Sequence, residues 1–271
     1  MKLAIISCIH GNYEALNTVL SDIDDHNADQ IFCLGDLVGY GPYPNAVVEL
    51  IRSLDIPTVQ GCWDEDIVDG LNACDCSYPS LLAERRGKAA HVWTDEKIHP
   101  EVREFLAQLP LTHKYKNLAF VHGSPHSQHE YLLPEMDAFT ALERVMEIGT
   151  DVLFCGHTHV PYVRELRDSQ LQIRVSTPNV ASPTSQCLNF PLKRIINAGS
   201  VGEPRHGRPN ATYVLYDTDT EQTTLREVEY DYRKTCAAII DQGLPPIFAW
   251  RLAQGLEFAE RAEDATHVCA R

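Results

Sequence analysis

The 271 residues are 44% hydrophobic and 8% aromatic, enough to bury a full core and unlike a disordered or fibrous chain. A formal net charge of −15, with no basic stripe or tail, argues against a nucleic-acid polymer or an anionic membrane as partner. A small phosphorylated substrate stays open, because bound cations reverse the local field. No apolar run approaches the roughly 20 residues that span a bilayer. A strand-like run begins almost at Met1, leaving no space for a cleavable leader, so a cytoplasmic location is expected. Nine scattered cysteines, an odd count, read as thiols of a reducing compartment rather than staples. Nothing in the composition fixes the oligomeric state.

Residues 2–8 read as a buried strand, and 13–25 as a helix with Ala15, Leu16, Val19, Leu20 and Ile23 on its apolar face. A strand at 30–34, a helix at 44–53 and a third strand at 56–60 continue the alternation, which predicts βαβ units and a parallel sheet. The pattern weakens over about 66–100, an expected insertion above the carboxyl edge of the sheet with a helix-like stretch at 80–97. Strands follow at 118–122 and 151–155. The runs PYVREL, LQIRVS, RIIN, ATYVLYD and TTLREVEY then predict a mainly antiparallel second sheet packed on the first. Residues 231–262 read as two amphipathic helices joined at GLPP, and the chain 1–271 as a single domain.

Ligands gather beyond the carboxyl ends of parallel strands. His10, Asp36, His122, His157 and His159 each follow a predicted strand, most beside a glycine that allows a tight turn. Imidazoles clustered around one carboxylate suit transition-metal ions better than a packed core. Cys33 and Cys155 fall inside apolar strands and are expected in the core. Cys74 and Cys76, one residue apart, are poorly spaced for a further metal site.

With these turns in place, the chain resembles the calcineurin-like metallophosphoesterases, closest to their bacterial and archaeal phosphodiesterase-like branch. The resemblance rests on the order of the His10-Gly11-Asn12, Gly35-Asp36, Gly61-Cys62-Trp63-Asp64, His122-Gly123 and Gly156-His157-Thr158-His159 motifs. It extends through IINAGSVGEPR (195–205) to about residue 255. It implies an α/β fold, a four-layer αββα sandwich of two mixed sheets flanked by helices. It also implies two divalent metal ions, one held by Cys8, His10, Asp36 and His159, the other by Asp36, Cys62, His122 and His157. Cys8 and Cys62 replace the family's Asp and Asn, so zinc is favoured, with iron, cobalt or manganese as alternatives. The two thiols either ligate metal or, without it, pair as a disulfide.

The implied function is hydrolysis of phosphodiesters or small, nucleotide-like phosphomonoesters. The alternative is a weak or inactive relative that uses the Cys/His site for metal or redox sensing or to bind a partner. Asp36 and Asp64 are expected in catalytic or bracing roles. Trp63 stands where the family's proton-donating His would be, so His206 or His126 becomes the candidate acid. Asn12, Tyr40, Trp63 and Arg205 are the candidate substrate contacts, with Arg208 close to Arg205 in sequence.

Overall fold

Alternation along β1 (Lys2–Ile6) decides the layering. Leu3 and Ile5 point into one apolar layer with Phe32, Phe120, Phe154, Val214 and Tyr216. Ala4 and Ile6 point the other way, onto Leu16, Val19, Val47 and Ile51. Burial on both faces is why the strand reads as an unbroken apolar run. The structure, a computed structural model, describes residues 1–70, 81–167, 172–175, 184–187 and 191–256.

The first sheet runs β11 (Thr223–Val228), β10 (Ala211–Asp217), β1, β2 (Gln30–Cys33), with only β1 and β2 parallel. The second runs β3 (Thr112–Tyr115), β4 (Leu118–Val121), β5 (Val152–Cys155), β9 (Lys193–Asn197), β6 (Tyr162–Leu166), parallel at its centre and antiparallel at both edges. A hairpin of β7 (Gln172–Val175) and β8 (Thr184–Cys187) lies between β6 and β9 in the chain.

Helices α1 (Tyr13–Asp25), α2 (Pro44–Ser53) and α5 (Pro100–Ala107) cover the first sheet, and α6 (Ala138–Glu147) covers the second. Between the sheets lies the shared apolar layer. This is the expected αββα sandwich. The remaining helices, α3 (Cys62–Asp69), α4 (Leu81–Lys97), α7 (Tyr232–Asp241) and α8 (Ile247–Gln254), meet around Tyr40, Cys62 and Trp63, beside the carboxyl ends of the strands.

Two expectations need correction. The strand anticipated at 56–60 is a single bridge, Cys33 to Thr58. Pro57 has no N–H to extend the ladder. The sheets also do not divide by chain halves: β1 and β2 pair with late strands β10 and β11, while β4 and β5 pair with β9. Cys33 and Cys155 are buried in the two outer helix–sheet layers, as expected. Cys74, Cys76 and residues 257–262 of the expected closing pair lie outside the described residues.

Phe120 ties the central layer together, fully buried with its ring stacked 4.2 Å from Phe32 and 5.1 Å from Phe154. Phe120→Ala is expected to lower the unfolding free energy by about 3–5 kcal/mol. Urea titration checks it, and a loss below about 1 kcal/mol would show that the two sheets do not depend on this stack.

Candidate metal centre and active site

The strand tips are laced to one another by backbone hydrogen bonds. Cys8 N–H donates to Gly35 O, Ile9 and His10 N–H to Asp36 O, and Gly11 N–H to Leu37 O. Val201 and Gly202 N–H reach Ser7 O and Cys8 O, and Gly156 N–H reaches His122 O. This lacing holds a strained backbone. Cys8, His10, Asp36, His157 and His159 all have positive φ, between 48° and 64°. Each such residue costs about 1–2 kcal/mol outside glycine, and such strain gathers at functional sites. Five of the seven expected ligands carry it.

The side chains converge in two buried groups. Ligand atoms of Cys8, His10, Asp36 and His159 lie within 4.8 Å of one another, and so do those of Asp36, Cys62, His122 and His157. Asp36 Oδ2 lies 3.5 Å from His10 Nε2 and 3.2 Å from His122 Nε2, so one carboxylate oxygen faces both groups. The seven residues proposed from sequence as ligands are therefore brought together.

Three imidazoles are oriented by carbonyls. Nδ1–H of His10 donates to Val38 O at 2.9 Å, that of His122 to Leu34 O at 2.7 Å, and that of His159 to Glu203 O at 2.6 Å. A carbonyl can only accept, so Nε2 of each ring faces the site, as a lone pair on the neutral rings, while against burial the Asp36 charge raises the basicity of His122. His10 Nε2 and His159 Nε2 sit 3.1 Å apart. Two lone pairs at that separation repel unless a cation or an added proton lies between them. Burial, opposed by the Asp36 charge, lowers the basicity of the His10 ring, and burial and the Arg205 charge lower that of His159 much further. A metal ion fits this pair better than a proton does.

Burial alone would raise Asp36, but His122, His10 and His157 outweigh it and hold the carboxylate well below its usual range. Burial, then the Asp36 charge, push the thiols of Cys8 and Cys62 well above theirs. Cys8 Sγ receives the His157 N–H at 3.3 Å, and Cys62 Sγ lies 3.7 Å from Asp36 Oδ2 and 3.5 Å from His157 Nδ1. Both are free thiols in the structure.

Asp64 is a brace. Its carboxylate accepts the N–H of Asp36, Leu37, Val38 and Gly61 at 2.8–3.3 Å. Burial and the Asp36 charge push it up to about 7, against those donors. Trp63 donates its own N–H to Asp36 Oδ1 at 2.9 Å, while its indole is buried against Tyr40, with ring centroids 4.4 Å apart. Tyr40 in turn packs 4.9 Å from the His10 ring.

The other candidates divide. Arg205 lies beside the first group: its backbone N–H donates to His159 O at 3.2 Å and its guanidinium pairs with Glu203 at 3.1 Å. Asn12 is committed elsewhere, capping α1 through Ala15 N–H, donating to Gly202 O and Tyr230 Oη, and accepting from Thr235 Oγ1. His206 and Arg208 are drawn to Glu227, at 3.6 and 2.6 Å, and His126 pairs with Glu147 at 2.9 Å. Neither histidine is brought to the metal groups.

Residues 1–221 match the family model of the calcineurin-like phosphoesterase superfamily domain. The chain belongs to that family. Among its relatives, an uncharacterized protein of Methanocaldococcus jannaschii is 36% identical over 259 residues, 93% of this chain and 98% of that protein. The crystal structure of a metallophosphoesterase from Sphaerobacter thermophilus is 33% identical, covers 94% of this chain and 100% of its own, and superposes with a TM-score of 0.74. Phosphodiesterase YfcE of Escherichia coli K12 is 26% identical over 223 residues, 81% of this chain and 89% of that protein.

Within this calcineurin-like frame, sequence reading missed Glu203 and Arg251. Glu203 contacts His159 and ion-pairs with Arg205 at 3.1 Å and Arg251 at 2.6 Å. Its place in the GEPR turn was the available signal. Arg251, on α8, carries none.

Asp64→Asn places an amide NH₂ against backbone N–H groups. The expected cost is about 2–4 kcal/mol of stability, since each buried donor left unmet costs about 1–3 kcal/mol. Metal binding should weaken with it. Unfolding and metal-stoichiometry measurements test this, and an unchanged midpoint would remove Asp64 as the brace.

Proposed function

We propose that the chain is a metal-dependent phosphoric ester hydrolase that holds two divalent transition-metal ions. It acts as one domain, in a reducing cytoplasmic setting, on phosphodiesters or small phosphomonoesters of nucleotide type. The observation that carries the reading is Asp36 Oδ2, within 3.5 Å of an imidazole from each group. One shared carboxylate with two histidines on each side is the donor arrangement a paired-metal centre needs. Membership of the phosphoesterase family, and the relative named a phosphodiesterase, support the reaction class.

Cys8 completes the first group with His10, Asp36 and His159; Cys62 completes the second with Asp36, His122 and His157. One thiolate and two imidazoles per ion favour zinc, with iron or cobalt next and manganese behind. When bound, such ions neutralise phosphoryl charge and acidify a water for in-line attack. The protein's own share is orientation. Carbonyls fix the imidazoles, Trp63 N–H and Asp64 fix Asp36, and Arg205 supplies a fork for a phosphoryl oxygen.

Proton donation to the leaving group has no evident donor among these residues. Indole cannot serve, His126 pairs with Glu147, and His206 faces Glu227 at 3.6 Å. Substrates with good leaving groups are therefore favoured. With zinc, iron or cobalt loaded, turnover of bis(p-nitrophenyl) phosphate and p-nitrophenyl phosphate should exceed that of the phenyl esters by at least about tenfold. Full metal loading with no turnover of any ester would instead support the alternative, a metal- or redox-sensing relative that binds a partner.

The thiolates have their own signature. Cobalt-loaded protein should show a sulfur-to-metal charge-transfer band that falls by about half in either Cys8→Ser or Cys62→Ser and vanishes in the double variant. A spectrum unchanged by both substitutions would exclude sulfur ligation.

A further inference from the structure

The family model ends at residue 221, yet the helices beyond it form a wall of the site. Thr235 of α7 donates its hydroxyl to Asn12 Oδ1. Beyond α8, Gly255 accepts the Gly207 N–H, and a Cβ at Gly255 would stand 2.0 Å from Arg208 O. These contacts fix the end of α8 against the loop that carries Glu203 and Arg205.

Arg251 projects from α8 into this corner. Its guanidinium lies over the Tyr40 ring, 4.9 Å from the centroid, and over Phe248 at 5.6 Å. It ion-pairs with one oxygen of Glu203 at 2.6 Å. The other Glu203 oxygen faces Arg205 at 3.1 Å and His159 Nδ1 at 3.4 Å, while the Glu203 carbonyl accepts the Nδ1–H of His159. Glu203 is only 4% exposed. A single buried carboxylate thus touches a ligand imidazole, the candidate phosphate-binding arginine and a third residue that pins it from the far side.

Resting on the two-metal reading above, we propose that Arg251 is a positioning residue for this site. Acting through Glu203, it fixes the orientation of His159 and keeps the Arg205 guanidinium turned to the phosphoryl group. The physical reason is competition for one carboxylate. With Arg251 on one oxygen, Arg205 can take only the other. Without Arg251, the bidentate fork is the stronger pairing, and it draws Arg205 onto both Glu203 oxygens. The carboxylate then leaves its 3.4 Å approach to His159 Nδ1, so the ring keeps its carbonyl partner but loses a charged neighbour that adds to its orientation and donor strength. The substrate grip is thereby placed under the control of a helix beyond the residues that the family model matches.

The test is a double-mutant cycle on the full chain, with Arg251→Met, Arg251→Lys, Glu203→Gln and the Arg251→Met/Glu203→Gln pair. Zinc affinity is measured by chelator competition, KM and kcat with p-nitrophenyl phosphate, and thermal midpoints on metal-free protein. Arg251→Met is expected to weaken the affected zinc by up to about tenfold, the low end for loss of such a neighbour, because the Glu203 carbonyl still holds His159. It should raise KM more than it lowers kcat, because Arg205 binds ground and transition states alike. Arg251→Lys should recover most of both. In the Glu203→Gln background, adding Arg251→Met should change zinc affinity by no more than about twofold, the limit of ordinary additivity. That background removes the carboxylate, so it stays informative if Arg251→Met alone lowers the midpoint. Equal effects in both backgrounds, or unchanged zinc affinity and KM in Arg251→Met, would overturn the positioning role alone. A parent chain that binds no zinc would overturn both this role and the metal reading.

Discussion

The site depends on how tightly Asp36 is held. Its carbonyl takes two N–H bonds from the β1–α1 turn, its own N–H goes to Asp64, and Oδ1 takes the Trp63 N–H at the start of α3. Only Oδ2 is left to face the imidazoles of His10 and His122. A carboxylate so anchored cannot turn away to solvent, and the N-terminus of α3 adds its dipole to the charges that keep it ionised. The crowding is visible at Gly61, where a Cβ would sit 2.1 Å from Asp36 N and 2.2 Å from Oδ1. Two segments meet there with no room for a side chain.

That anchoring explains why the fold tolerates so much strain at the strand tips. A left-handed backbone at five non-glycine ligands costs several kcal/mol in total. The lacing between β1, β2 and the 199–202 segment, together with the stacked aromatics between the sheets, stabilises those conformations. Strain of this kind aims side chains that an ordinary strand end would direct elsewhere. The wedge of imidazoles follows from the backbone, and the backbone follows from the packing of both sheets.

Legibility followed the range of the interactions. Helices α1 and α2 match the residues expected of them, because amphipathic spacing is local. Helix α3 carries no helical signal in the sequence, since Cys62, Trp63 and Asp64 face the site and break its periodicity. Sheet membership was not legible: pairing β1 with β10 joins residues about 210 positions apart, and no local pattern encodes it. The candidate ligands were legible because all but Cys62 follow a strand, mostly at a glycine turn. Asn12 sits two residues from His10 in sequence, and its amide caps α1 and ties α7 to the turn. Glu203 and Arg251 are 48 positions apart in the chain, and their pairing exists only once α8 is docked.

The proposed chemistry turns on charge. In the protein alone, burial keeps Cys8 and Cys62 protonated, and only Asp36 among the ligands is held as an anion. Ligation as thiolates would then release both thiol protons and offset part of the charge the cations bring. Thiolates that donate strongly make the bound cations weaker Lewis acids, so attack on phosphorus slows unless charge is supplied from elsewhere. Arg205 is the cation nearest to hand, and Arg251 governs how much of it Glu203 takes. A centre with thiols at two candidate ligand positions and no evident proton donor would therefore rely more on those arginines, which is why its selectivity should lie in the charge and leaving group of the ester.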